Sequence, residues 1–191
     1  MTESGGNNID VLWRSFLKGD DKSLSLIYKQ SINGLLSYGL KFTFDKELVH
    51  DCLQEVFIDL FLKKKKVGVS IIKLKPYLFV AVRNGIVKRI MKENKYRSIS
   101  LDEIQTALEF NVEYSTDQKL IKNEIVTERY EKLKETVNNL PPRQKEIVYL
   151  KFEEELDYED IANIMKISVE SARKSMHRAL LSLRKQLNDA S

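Results

Sequence analysis

Apolar residues recur at three- and four-residue spacing through most of this chain, and that period most constrains its fold. In "VLWRSFLKGDDKSLSLIYKQSINGLLSYGLKF" they include Leu12, Phe16, Leu24, Ile27, Tyr28 and Leu35. The break at Gly19-Asp20-Asp21 offers a cap for the helix that follows. In "DKELVHDCLQEVFIDLFLKKKK", Leu48, Cys52, Val56 and Leu60 form one ridge, widened by Val49, Leu53 and Phe57. "VGVSIIKLK" reads as a loop, and Pro76 opens the next helix, "PYLFVAVRNGIVKRIMKENK", in its first turn. No stretch alternates as a strand would. The expected fold is all-α: two small helical domains, 9–96 and 124–188, joined by a flexible polar linker over 97–123. The C-terminal domain carries a helix-turn-helix.

Several functions are excluded at this stage. The 191 residues hold no glycine-rich phosphate loop and no Ser/His/Asp set. The two histidines, His50 and His177, fall in different modules, and Cys52 is the only cysteine, so neither a metal set nor an internal disulfide is expected. Neither an enzymatic activity, a cofactor nor a small-molecule substrate is expected. The start "MTESGGNNID" lacks the basic end and apolar core of a signal peptide, and no apolar run nears the roughly 20 residues of a membrane span. A cytoplasmic protein without membrane insertion is the expectation.

The net charge of +4 conceals segregation. Residues 62–97 carry twelve Lys/Arg and one acid, and residues 166–191 carry six bases and two acids. Between them, 98–131 and 143–165 are acidic. Two basic blocks on patterned helices suggest two contacts with a polyanion.

The second block has a specific anatomy. Ile161, Ala162 and Met165 face inward on a short helix from Tyr158, which Asp157 can cap. Val169, Ala172, Met176, Leu180, Leu183 and Leu187 stripe a long helix from Val169, which Ser168 can cap. Lys174, His177 and Arg178 fall opposite that stripe, with Arg173 on its edge. Lys166-Ile167-Ser168 joins the helices, with a lysine where such turns often use glycine. A helix so presented can enter a major groove, where Arg and Lys read guanine or neutralise phosphate. A plain surface helix in a bundle would carry the same pattern.

The stretch "LPPRQKEIVYLKFEEELDYEDIANIMKISVESARKSMHRALLSLRKQL" resembles the promoter-reading C-terminal domain of bacterial sigma factors, of the two-domain extracytoplasmic-function kind. Upstream, "DCLQEVF" resembles that family's Asp-x-x-Gln-Glu-x-Phe signature, which docks on the clamp of core RNA polymerase. "PYLFVAVRN" resembles its DNA-melting helix. The resemblance implies core-polymerase contacts at Asp51, Gln54 and Glu55. It implies contacts with the melted minus-ten strand at Tyr77, Arg83, Asn84 and Lys88, and major-groove contacts in the minus-thirty-five element at Arg173, Lys174, His177 and Arg178. The implied partners are core RNA polymerase, promoter DNA and an anti-sigma factor.

Two other readings fit an all-helical chain. A helix-turn-helix regulator with 9–96 as sensor would need no polymerase signature at "DCLQEVF". A protein-only adaptor would leave both basic blocks unexplained.

Overall fold

The structure is a computed structural model and describes residues 6–62, 64, 71–93, 109–111 and 132–189. The helices bounded among the described residues are, in order, α1 (Gly6–Leu17), α2 (Asp21–Gly39), α3 (Lys46–Leu62), α4 (Leu74–Glu93), α5 (Pro142–Phe152), α6 (Tyr158–Met165) and α7 (Val169–Asp189). A helical segment over 132–138 precedes α5, and no strand occurs among the described residues.

The helices begin where short-range chemistry starts them. Asp20 caps α2 by accepting from the Lys22 N–H, and its other oxygen accepts from the Ser23 hydroxyl at 2.6 Å. Asp45 accepts from the Leu48 N–H at 3.0 Å ahead of α3. α4 starts two residues before Pro76, and its first N–H, on Leu74, donates to the Asp10 carboxylate at 2.8 Å. That cap ties the start of α4 to α1. α5 opens on Pro142, whose missing N–H would have had no helical partner.

α4 is the axis of the N-terminal half and packs against α1, α2 and α3. The expected ridge on α3 is buried through Leu48, Val49, Cys52, Leu53, Phe57 and Leu60. α2 and α3 approach closely at Gly39, where a Cβ would lie 2.6 Å from Val49 Cγ1. In the C-terminal half, α7 packs on α5 and α6.

Among the described residues, the main apolar core draws on both halves. α4 lies against α6 as well as against its own bundle. Tyr38 sits at the junction, its ring 5.0 Å from Phe79, 5.2 Å from Phe42 and 5.9 Å from Tyr149. Most of the expected linker and of the basic loop before α4 lies outside the described residues. Within the linker, Phe110 is only 2% exposed and stacks edge-on to Phe42 and Tyr149, while the Asn111 N–H donates to the Lys41 carbonyl at 2.7 Å. That segment is anchored by an aromatic side chain that its weak periodicity did not reveal.

Candidate polymerase and promoter surfaces

The helix pair α6–α7 is built as expected. Asp157 accepts from the Asp160 N–H at 2.8 Å, and the Ser168 hydroxyl accepts from the Ser171 N–H at 3.1 Å. Between these caps Lys166 adopts φ 54°, ψ 47°, the left-handed conformation that closes α6, and the Ile167 N–H returns to the Ala162 carbonyl at 3.0 Å. Ala172, Met176, Ala179 and Leu183 are buried on the inner face of α7. Leu180 departs from the expected stripe: it is 45% exposed, because Ala179 takes the inward position one residue earlier. Arg173, Lys174, His177 and Arg178 all lie exposed on the outer face. Arg173 stacks over the Tyr158 ring at 5.8 Å, and Lys174 meets Glu170 at 2.6 Å in an exposed pair. Such pairs contribute about 1 kcal/mol or less, so a phosphate can displace them.

Asp51, Gln54 and Glu55 share one exposed face of α3. Helical spacing carries that face on to Ile58, Phe61 and Leu62, which are also exposed, Leu62 by 70%. The acidic stripe therefore ends in an apolar patch. The resemblance names Asp51, Gln54 and Glu55 but not these three, although the same helical spacing reaches them. Glu55 meets Arg89 at 2.6 Å across α3 and α4. Arg89 also bonds the Cys52 sulfur, and burial pushes that thiol above its ordinary range.

On α4, Tyr77, Asn84 and Lys88 fall within about 40° of one another by helical rotation and form one stripe. Lys88 is exposed and the other two half-buried. Arg83 departs from this group. It points about 100° away from Asn84, is 2% exposed, and is held by Glu146 of α5. Its Nε donates to Glu146 Oε1 at 2.7 Å and its Nη2 to Oε2 at 3.2 Å, a bidentate fork. The Tyr38 hydroxyl donates to the same Oε1 at 2.7 Å. Burial opposes the Arg83 charge, but the adjacent carboxylate outweighs it and holds the guanidinium above its ordinary value. Burial, then the Glu146 charge, pushes the Tyr38 hydroxyl well up, so the phenol stays a donor.

Two more pairs run alongside. Lys73 meets Asp157 at 2.6 Å and Asp160 at 2.9 Å; Lys75 meets Glu154 at 3.0 Å. Hydrogen bonds to Asp157, then Asp160, hold the Lys73 ammonium above its ordinary range. The basic block before and within α4 is thus met by the acidic block of 143–165. Glu146, Glu154 and Asp160 carried no sequence signal beyond the acidic tilt of their segment. Among the described residues, no His, Cys, Asp and Glu group is arranged for a metal, and no helix is long and apolar enough to cross a membrane.

Comparison with known proteins identifies this arrangement. Residues 130–183 match the family described as Sigma-70, region 4. The chain is 30% identical over 153 residues to the ECF RNA polymerase sigma factor SigM of Bacillus subtilis (strain 168), covering 80% of this chain and 88% of that protein. It is 23% identical over 171 residues to the RNA polymerase sigma factor YlaC of the same organism, covering 86% of this chain and 92% of the relative. In fold it is similar to the sigma factor RpoE of Bartonella quintana, solved with the anti-sigma factor NepR, with a TM-score of 0.60 at 17% identity over 87% of this chain and 98% of the other. It is similar also to CnrH, solved with the cytosolic domain of CnrY, with a TM-score of 0.56 at 13% identity over 96% and 99% of the two chains. The chain belongs to the extracytoplasmic-function family of bacterial RNA polymerase sigma factors.

Proposed function

We propose that this sigma factor binds core RNA polymerase through α3, reads the minus-thirty-five element with α7 and captures the melted minus-ten strand along α4. It is an initiation factor and not an enzyme. The observation that carries the division of labour is an exposed acidic face on α3 and an exposed basic face on α7 in one chain. The first suits a basic protein surface, where charge-assisted hydrogen bonds give specificity. The second suits a major groove. Tyr77 offers a stacking face, Asn84 an amide for a base edge and Lys88 a charge for phosphate. In this reading 9–96 and 124–188 are the two working domains and 97–123 connects them. The chain works in the cytoplasm. An anti-sigma factor is its regulator, a reading supported by the similar fold of RpoE, which was solved with the anti-sigma factor NepR.

The test is transcription in vitro by purified core polymerase with and without the chain. Promoter-directed transcripts that need the chain are expected. Asn84→Ala should leave core binding intact and reduce permanganate reactivity of melted thymines, because an unpaired base edge costs about 1–3 kcal/mol. Tight, specific DNA binding by the free chain with no effect on core polymerase would favour a helix-turn-helix regulator instead.

A further inference from the structure

The basic outer face of α7 opens on an acid. Glu170 stands in the first turn of the helix. By helical rotation it lies about 40° from Lys174 and about 20° from His177, in the same outward row. Its side chain is 75% exposed, so the packing of α7 makes little use of it, and the Ser168 cap bonds Ser171 instead. Its partner is Lys174, one turn on, at 2.6 Å. As a stabilising device that exposed pair is weak. On a helix that meets DNA it is a liability, because phosphates repel a carboxylate. The first turns of such a helix are also the part that touches base edges. A carboxylate there needs a hydrogen-bond donor from a base.

The major groove offers two such donors, cytosine N4 and adenine N6. In a C·G pair the cytosine amino group sits beside guanine O6, bonded to it at about 2.9 Å. Guanine N7 lies beyond O6 as a second acceptor. Glu170 and Lys174 show the complement, an acceptor and a donor 2.6 Å apart on one face. An A·T pair also sets a donor beside an acceptor, but the next group along is the thymine methyl, which gives an ammonium nothing to bond. We infer that Glu170 and Lys174 act as one unit that reads a single C·G pair in the minus-thirty-five element. The carboxylate accepts from cytosine N4, and the ammonium donates to guanine O6 and N7. Glu170 is thereby a specificity-determining residue that selects by exclusion. Opposite a G·C or T·A pair it faces a carbonyl oxygen, two acceptors meet, and binding weakens. The inference rests on the reading that α7 enters the major groove.

The experiment uses polymerase reconstituted from core enzyme and the full chain. It selects from a promoter library randomised across the minus-thirty-five element, and bound sequences are counted. The wild type should prefer C·G at one position by about tenfold or more. Glu170→Ala should cut that preference to about twofold or less, raise binding of the disfavoured sequences and leave the other positions unchanged. Lys174→Ala should relax the same position, and the double variant should relax it no further, since the pair acts as a unit. Glu170→Gln keeps an acceptor and gains a donor, so the preference there should move to adenine, which glutamine pairs through N6 and N7. A side chain with only a structural role would give no such switch. Preference that survives Glu170→Ala overturns the proposal, as does relaxation at different positions in the two alanine variants, or loss of a preference for any pair but C·G. Arg173→Ala and Arg178→Ala run in parallel. If either alters promoter choice or strength while the Glu170 variants do not, the paired reader falls and α7 remains the reading helix; if none of them does, both fall.

Discussion

Single side chains here do jobs that their neighbours in sequence do not share. Glu55 is exposed on α3 beside Asp51 and Gln54, and it also leans on Arg89. Glu55→Lys should weaken core-polymerase binding more than tenfold, about 1.4 kcal/mol or more. The melting temperature of the free chain should hardly move, because its ion pair is exposed. Unchanged affinity in a titration against core polymerase removes Glu55 from the docking face. Lys166 makes the opposite kind of case, for it supports a turn at a backbone cost. It occupies the left-handed region at φ 54°, where a Cβ costs roughly 1–2 kcal/mol. Lys166→Gly should therefore stabilise the chain by about 1 kcal/mol, less the extra freedom that glycine gives the unfolded state. A melting temperature that falls on this substitution counts against strain at the turn. Such residue-scale features were legible in the sequence, because caps and turns are decided within three or four positions. Asp157, Ser168 and the odd lysine at 166 all read correctly for that reason.

Elements were legible through their period, and the misses came where two elements meet. The exposed row on α7 follows from the stripe opposite it, so Arg173, Lys174, His177 and Arg178 stand outside whatever the helix packs on. An alanine series at these four, measured against a promoter library at two salt concentrations, sorts their roles. A base reader should lose about 1–3 kcal/mol and relax preference at one base pair. A phosphate contact should weaken all sequences alike and lower the salt slope by about 1. If none of the four alters promoter choice or strength, α7 is a surface helix only. By contrast, Arg83 looked like its neighbours on α4, and only the third dimension separates it. Its partner lies 63 positions away and Tyr38 lies 108 positions from the same carboxylate, so no window of sequence joins them. The apolar end of the α3 face was missed differently: its spacing was visible, but exposure of Ile58 and Leu62 depends on what packs nearby.

At the scale of the molecule, charge couples the two halves to pH. Burial works against the Asp157 carboxylate, but the bond from Lys73 overrides it and holds its pKa below the ordinary value. A depressed carboxylate contributes stability above its unfolded pKa, and that contribution is lost as pH falls through the folded value. Asp160 moves the other way, because burial dominates, and so softens the fall. Lys73, raised by its two partners, keeps its contribution through neutral pH and loses it only above the usual lysine range. The expected outcome is a drop in melting temperature on acidification below the carboxylate range, shallower in Lys73→Gln than in wild type. Equal acid slopes in the two proteins, measured by thermal melting from neutral to acid pH, count against this coupling. The aromatic cluster at the same junction has an optical consequence. Tyr38, Phe110 and Tyr149 come from the N-terminal half, the linker and the C-terminal half, while Trp13 sits apart against Phe16 at 5.6 Å. Rings fixed in chiral surroundings give near-ultraviolet circular dichroism, tyrosine at shorter wavelength than tryptophan. A chain whose halves part should lose the share of its tyrosine bands that Tyr38 and Tyr149 supply and keep its tryptophan bands, so the molecule carries its own label-free gauge of whether it is open or shut.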